Sequence, residues 1–406
     1  MIRIIEGDCR VVLPTLAWGS VHCVVTSPPY FGLRDYGVAG QLGLEGSVEE
    51  YVGGLVGVFR EVWRVLRDDG TVWINLGDGY CAAAPGNKTL GVSAASTLNG
   101  VNSQRYRETL AQGHATKRDT SKIAGLKPKD LMMVPARVAL ALQADGWWLR
   151  SEIVWAKPNP MPESVLDRPT QSHEKVFLLA KSSRYFFDAE AVRERAESDR
   201  PDMRLKGVRT GDAYLQQGPL ADNSRPNAPR SRPRSAELDT SAVDTSSRNI
   251  RNVWTIATAP YAEAHFATFP PALAERCVRA GTSERGCCAG CAAPWVRVVE
   301  RTVLPPPDRI NNNPFKHDTM TSHGEGAHTL RNIVQNETTG WEPSCACGCA
   351  ETVPAVVLDP FGGAGTVGLV ADRLGRDAVL IELNPAYCEM ARRRIEVDCP
   401  LFAEVC

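Results

Sequence analysis

The sequence predicts a doubly wound α/β fold with a mostly parallel sheet, and three observations carry that prediction. Short apolar runs recur at 2–5, 22–26, 71–76, 149–155, 175–180, 356–358 and 378–381. Helical patterns lie between most of these runs, as parallel strands require. The last two runs bracket a glycine turn, Gly362-Gly363-Ala364-Gly365, that leads from strand into helix. One pair departs from the rule. No crossover helix separates 149–155 from 175–180, so these two strands are expected to be antiparallel.

The length of 406 residues allows one large domain with insertions. Net charge is −1, so any surface for nucleic acid must be a local one. The N-terminus carries no charged-then-apolar leader and no apolar run approaches a membrane span, which predicts a soluble intracellular protein with no membrane partner. Thirteen cysteines in a long intracellular chain point to metal rather than to disulfides.

The first strand ends in Glu6-Gly7-Asp8. The second delivers Val24-Val25-Thr26-Ser27-Pro28-Pro29-Tyr30. Proline fixes φ and lacks an N–H, so this loop is stiff. It offers a hydroxyl at Ser27, a carbonyl at Pro28 and a ring at Tyr30. That set suits an exocyclic amino group on a flat base; a plain Pro-Pro turn with a surface tyrosine is the alternative. In the Phe31–Gly37 loop, Arg34 either reaches a phosphate or is a surface charge. Ser47 and Glu50 form a capping box for a helix with Tyr51, Leu55, Val58, Val62 and Leu66 on one face. Asp69-Gly70 is read as the turn into the 71–76 strand. Residues 79–127 lose periodicity and read as a loop ordered by DNA or as a surface insertion. A helix is expected over 131–144. The loop Lys157-Pro158-Asn159-Pro160-Met161-Pro162 cannot be regular structure. Trp155 before it is read as core.

Residues 189–250 are rich in Arg, Asp, Ser and Pro and cannot bury enough apolar surface to order alone. Asn252-Val253-Trp254 restarts the core, and a helix is expected from Pro271 to Gly281. Cys288-x-x-Cys291 and Cys345-x-Cys347 read as the two halves of a closed, structural zinc site, with Cys349 or Cys287 as alternative fourth ligands. The excursion between them contains Pro305–Pro307 and Asn311–Asn313. Near the end, Glu382 closes the last strand, where nucleotide-binding α/β folds hold a ribose diol. Gly363, Gly365 and Gly368 also satisfy G-x-G-x-x-G, a weak signal alone.

Taken together, Ser27-Pro28-Pro29-Tyr30 and Asp359-Pro360-Phe361-Gly362-Gly363-Ala364-Gly365 resemble the catalytic and cofactor motifs of the S-adenosylmethionine-dependent amino-methyltransferases of DNA. The cofactor motif comes last, as in the permuted group called β. The resemblance implies a circularly permuted, seven-stranded Rossmann-like sheet, to which the cysteine spacing adds a small zinc-binding insertion. It implies S-adenosylmethionine as cofactor and double-stranded DNA as substrate. Ser27, Pro28, Pro29 and Tyr30 would be catalytic. Asp8, Thr268, Phe269, Pro270, Asp359, Pro360, Phe361, Gly362, Gly363, Gly365, Thr366, Glu382 and Asn384 would bind cofactor, with Asp8 taking the adenine amino group. His265, beside Thr268, would be a positioning residue. The implied division is a catalytic half at 1–188, a target-recognition region at 189–250, a cofactor-contacting segment at 251–285, a zinc insertion at 286–350 and a cofactor half at 351–406. A cognate restriction endonuclease and a bacterial, or phage-infected bacterial, cytoplasm complete the expectation. Serine at the first motif position favours cytosine N4, with adenine N6 as the alternative. No cysteine stands in a Pro-Cys loop, which disfavours cytosine C5 chemistry. A nicotinamide oxidoreductase and a silent zinc-containing DNA-binding protein are the readings from other classes.

Overall fold

The computed structural model describes residues 1–33, 36–81, 120–121, 123, 125–195, 247–259, 261, 269–304 and 333–398. Arg34, His265, Thr268, most of the 79–127 loop, 196–246 of the recognition region and the Pro305–Pro307 and Asn311–Asn313 runs lie outside the described residues. The chain forms two compact units. The first is Met1–Val192, Ile250–Val298 and Gly340–Cys406. The second is Arg193–Asn249 and Val299–Thr339.

The strands in chain order are β1 (Ile2–Glu6), β2 (Val21–Thr26), β3 (Leu66–Leu76), β4 (Trp148–Ala156), β5 (His173–Ala180), β6 (Glu194–Arg195) and β7 (Ser247–Arg248). They continue as β8 (Val253–Thr255), β9 (Cys287–Cys288), β10 (Trp295–Leu304), β11 (Ile333–Pro343), β12 (Thr352–Val353), β13 (Val356–Asp359) and β14 (Asp377–Glu382). The helices that matter here are α1 (Cys9–Val12), α2 (Val48–Val65), α3 (Val134–Ala144), α4 (Pro271–Gly281), α5 (Thr366–Arg373) and α6 (Pro385–Asp398).

Eight strands form the central sheet in the order β1-β14-β13-β2-β3-β5-β4-β8. Seven strands were expected; β8 is the addition, pairing parallel to β4 through Val253, Trp254 and Thr255. Its three residues are too short for a periodicity signal. Only β5 runs against the rest, antiparallel to both β3 and β4. Both chain ends enter the sheet, since β1 pairs with β14 and β14 with β13.

Alternation along the strands builds two cores. On one face Val24, Val72, Ile74, Phe177, Leu179, Leu358 and Ile381 pack with α2 and α3. On the other, Cys23, Val25, Trp73, Val176, Leu178, Val357 and Leu380 pack with α4, α5 and α6. Such period-two runs apolar on both sides are what a sheet covered by helices on both faces needs. In α2 the buried stripe is Tyr51, Leu55, Val58, Phe59 and Val62. Each of these side chains contributes about 1.5–3 kcal/mol by leaving water.

Three local expectations shift. Ser47 Oγ does accept the Glu50 N–H at 3.1 Å, but Glu50 takes the Gly46 N–H at 2.8 Å, so the capping box closes one residue early. Asp69-Gly70 is no turn: β3 runs on from Leu66, directly after α2. Gly70 lets β2 approach there, because a Cβ would lie 2.9 Å from the His22 carbonyl oxygen. The helix expected over 131–144 starts at Val134, after Met133 in the left-handed region at φ 55° and with Pro135 in its first turn.

Candidate active site

Parallel strands end at the same edge of the sheet, and loops after them meet there. A cavity of about 660 Å³ lies at that edge. Ser27, Pro28, Pro29 and Tyr30 enter it after β2, Pro360 to Gly363 after β13, Glu382 and Asn384 after β14, and Asp8 after β1. Phe269 and Thr366 also line it. The two motifs, separated by more than three hundred residues in sequence, thus share one wall. Pro270, Asp359 and Gly365 are not part of the lining.

Those three have other work. Asp359 is fully buried and its Oδ1 accepts from Thr26 Oγ1 at 2.6 Å and from the Phe361 N–H at 3.0 Å. It therefore ties the end of β13 to the end of β2. Gly365 stands before α5 at φ 73°, where a Cβ would come within 2.8 Å of the Ala391 Cβ on α6. Pro270 caps α4.

Burial pushes the Asp359 carboxyl from 3.8 up to about 7. The folded state then holds this proton more tightly than the unfolded chain. Its contribution to stability is full below about pH 4 and is lost as pH rises through about 7. The unfolding free energy of wild type minus that of Asp359→Asn should therefore shrink between mildly acidic and mildly alkaline buffer, measured by urea titration. An unchanged difference would remove Asp359 as the source.

Glu382 is a partly buried acceptor on the same cavity wall. The Gly363 N–H donates to Oε2 at 2.7 Å and the Asn384 N–H to Oε1 at 2.8 Å. Each oxygen keeps a lone pair for a diol. Burial raises its carboxyl above the usual range, against the pull of these amides. Asp8 is less free than expected. It caps α1 by accepting the Arg10 N–H at 2.8 Å, and Arg10 Nη2 lies 2.5 Å from Oδ2. That guanidinium holds the Asp8 carboxyl low. A ligand amino group would have to share these oxygens with Arg10. Thr366 Oγ1 is held by Arg394 at 3.0 Å.

The Ser-Pro-Pro-Tyr loop is fixed from below. Tyr51 Oη donates to the Pro29 carbonyl at 2.7 Å. Tyr30 packs against Gly77, where a Cβ would lie 2.5 Å from the ring, so a glycine is required. The Tyr30 hydroxyl donates to Glu174 Oε2 at 2.7 Å and accepts from Asn75 Nδ2 at 2.8 Å. Burial and the Glu174 charge push its pKa well above the tyrosine range, so it stays a donor. Ser27 Oγ donates to the Tyr30 hydroxyl at 3.3 Å. Lys157 ion-pairs with Glu174 and stands 4.4 Å from the centre of the Trp155 ring. Trp155 itself is core, with its indole N–H on the Ile256 carbonyl at 2.8 Å.

Asn75 and Glu174 belong to this wall but lie in neither motif. The antiparallel course of β5 explains Glu174: the start of that strand, not its end, reaches the edge where the others finish. Asn75 carried a signal, a polar side chain inside the buried run Trp73-Ile74-Asn75-Leu76. Its Oδ1 is buried and has no partner among the described residues.

The cysteine cluster is a second constellation. The sulfurs of Cys288, Cys291, Cys345 and Cys347 all lie within 4.8 Å of one another. Four thiolates at about 2.3 Å from a zinc ion would stand roughly 3.8 Å apart. Observed separations of 3.1, 3.4 and 3.8 Å around Cys347 fit that donor set. Cys347 is thus the fourth member; Cys349 Sγ faces the Glu351 carbonyl, and the Cys287 sulfur is not part of the cluster. The knuckle is docked on the sheet. The Val356 N–H donates to His22 Nδ1 at 3.0 Å, so His22 carries its proton on Nε2 and donates to the Ala292 carbonyl at 3.0 Å. Arg67 Nη1 donates to the Cys291 carbonyl at 3.1 Å. Among the described residues, no helix is long and apolar enough to cross a membrane.

Comparison with known proteins places this geometry. The family model described as DNA methylase, N6_N4_Mtase, matches residues 21–289 and 350–393. The Type II methyltransferase M.Cfr9I of Citrobacter freundii is 37% identical over 96% of this chain and 86% of its own length. M.SmaI of Serratia marcescens is 33% identical over 97% of this chain and 90% of its own. Among solved structures, the PvuII DNA methyltransferase (cytosine-N4-specific) aligns at 15% identity over 97% of this chain and 86% of that one, with a TM-score of 0.49. The chain belongs to the N6_N4_Mtase family of DNA methylases, amino-methyltransferases of the N4/N6 type whose substrate is DNA.

Proposed function

We propose that the protein transfers a methyl group from S-adenosylmethionine to N4 of a cytosine flipped out of double-stranded DNA. One observation carries this: a single cavity holds both the Ser27–Pro28 acceptors and the Glu382–Gly363 cradle. Bound there, S-adenosylmethionine would supply an electrophilic methyl group. Glu382 would hold the ribose diol, and Phe361 to Gly363 would pass along the rest of the ligand. Flipping costs a few kcal/mol, which contacts in the pocket must offset. Ser27 Oγ and the Pro28 carbonyl accept the two N–H bonds of the amine and aim its lone pair at the methyl. The rate enhancement then comes from positioning and fixed dipoles, with no covalent enzyme intermediate. Serine rather than aspartate at the first motif position favours cytosine over adenine.

The same reading covers the rest of the chain. Residues 1–188, 251–285 and 351–406 would form the catalytic body, 189–250 the target-recognition region and 286–350 the zinc-binding insertion. Zinc held by Cys288, Cys291, Cys345 and Cys347 would be structural, since a four-thiolate site leaves no open position. A cognate restriction endonuclease and a bacterial cytoplasm are the expected setting, supported by the Type II relatives.

Glu382→Ala tests the cofactor side. Losing hydrogen bonds to a charged acceptor should weaken S-adenosylmethionine binding by about 1.5–3 kcal/mol. Calorimetric titration reads this directly, and unchanged affinity takes Glu382 out of the site.

A further inference from the structure

We propose that Glu174 is the terminal proton acceptor of a relay that starts at Ser27 and passes through Tyr30. The proposal rests on the amino-group reading above. An amine that accepts a methyl group carries one proton too many, and the protein must offer that proton a way out.

The hydrogen bonds on this wall all point one way. Tyr30 Oη donates its single proton to Glu174 Oε2 at 2.7 Å. It accepts from Ser27 Oγ at 3.3 Å and from Asn75 Nδ2 at 2.8 Å, which fills its acceptor sites. The tyrosine proton cannot turn back toward Ser27. Asn75 cannot invert, because its Nδ2 also donates to Glu174 Oε2 at 2.9 Å and inversion would set its carbonyl against the carboxylate. Ser27 directs its own proton to Tyr30, leaving a lone pair for an incoming N–H. Lys157 takes the other Glu174 oxygen.

The step balances. The new C–N bond uses the nitrogen lone pair, and the pair of the broken C–S bond stays on sulfur. The nitrogen is now positive. One of its protons passes to Ser27 Oγ, the Ser27 proton to Tyr30 Oη, and the Tyr30 proton to Glu174 Oε2. The methylated amine ends neutral and Glu174 ends as a carboxylic acid. With 16% of its side chain still exposed, Glu174 can return the proton to solvent. The groups facing it are Lys157 from the loop after β4, Tyr30 from the loop after β2 and Asn75 from β3. Its neighbour Lys175 is paired with Glu152.

Single-turnover methyl transfer on one duplex, measured across pH, tests the relay. Tyr30→Phe keeps the ring and removes the hydroxyl; Glu174→Gln keeps the shape and removes the base. Each should slow transfer by roughly a hundredfold, the range for losing proton-transfer assistance, and flatten the acid limb of the pH profile. The double variant should be no slower than either single one, because both break one path. Cofactor affinity should not move. If both variants keep the wild-type rate and profile while Ser27→Ala is slow, the relay is overturned and the amino-group reading stands. Additive losses with an unaltered pH profile also overturn it. If Ser27→Ala is as fast as wild type too, the underlying reading falls with it. Should Glu174→Gln not fold, Tyr30→Phe decides alone.

Discussion

Ser27→Ala should slow methyl transfer by about ten- to a thousandfold while fold, cofactor affinity and DNA affinity stay nearly intact. The variant removes one acceptor from a cavity wall and leaves the Pro28 carbonyl. Little packing is lost. The Ser27 contacts to Tyr30 and Asn75 are long, at 3.3 and 3.4 Å, and Tyr51 still clamps the Pro29 carbonyl. Ser27→Asp is the informative companion. A carboxylate accepts two N–H bonds, and Asn75 Nδ2 beside it is a donor. Partial activity should survive, with adenine better tolerated than before. Single-turnover assays on matched duplexes carrying cytosine or adenine at the target position read both effects. A wild-type rate for Ser27→Ala would remove the Ser-Pro-Pro-Tyr loop from the chemistry.

Metal removal should have the other large effect. In isolated zinc peptides at neutral pH the metal contributes ~10–16 kcal/mol, and that binding energy is folding energy. Here the sheet has two cores of its own, so the loss should be local. Chelation or Cys288→Ser is expected to melt the knuckle around 286–298 and 340–353, lower the melting temperature and reduce solubility before base choice changes. The knuckle is held to β2 by His22 and to β3 by Arg67, and β2 carries Ser27 at its far end. Elemental analysis should find one zinc per chain. Hydrogen exchange with and without chelator should show the knuckle opening first. A metal-free protein of full stability would contradict this.

What the sequence made legible follows from how local each signal is. Proline and glycine act on their own backbone, so the Ser27–Tyr30 and Phe361–Gly365 turns could be read directly, and both reach the cavity wall. Short apolar runs marked the strands, and the missing crossover helix between 149–155 and 175–180 marked the antiparallel pair. Which side chain of a turn faces a ligand is a different question. Asp359 and Gly365 belong to the motif, yet one fastens β13 to β2 and the other seats α5 on α6. Asp8 lines the cavity but shares its oxygens with Arg10, two residues on, a pairing that depends on the turn of α1. Glu174 and Asn75 could not be matched to Tyr30 from sequence, because they meet through strand order and direction. The cysteine cluster was legible from spacing, and the choice of Cys347 over Cys349 came only from the distances.

The proposed reaction is methyl transfer to an exocyclic amino nitrogen of DNA. Nucleoside mass spectrometry of duplex DNA treated with the protein and isotope-labelled S-adenosylmethionine tests it most directly. The expected product is labelled N4-methyldeoxycytidine. Labelled N6-methyldeoxyadenosine would keep the amine chemistry and overturn the choice of base. Labelled 5-methyldeoxycytidine, or no labelled nucleoside from an enzyme that binds its cofactor, would rule out transfer to that nitrogen.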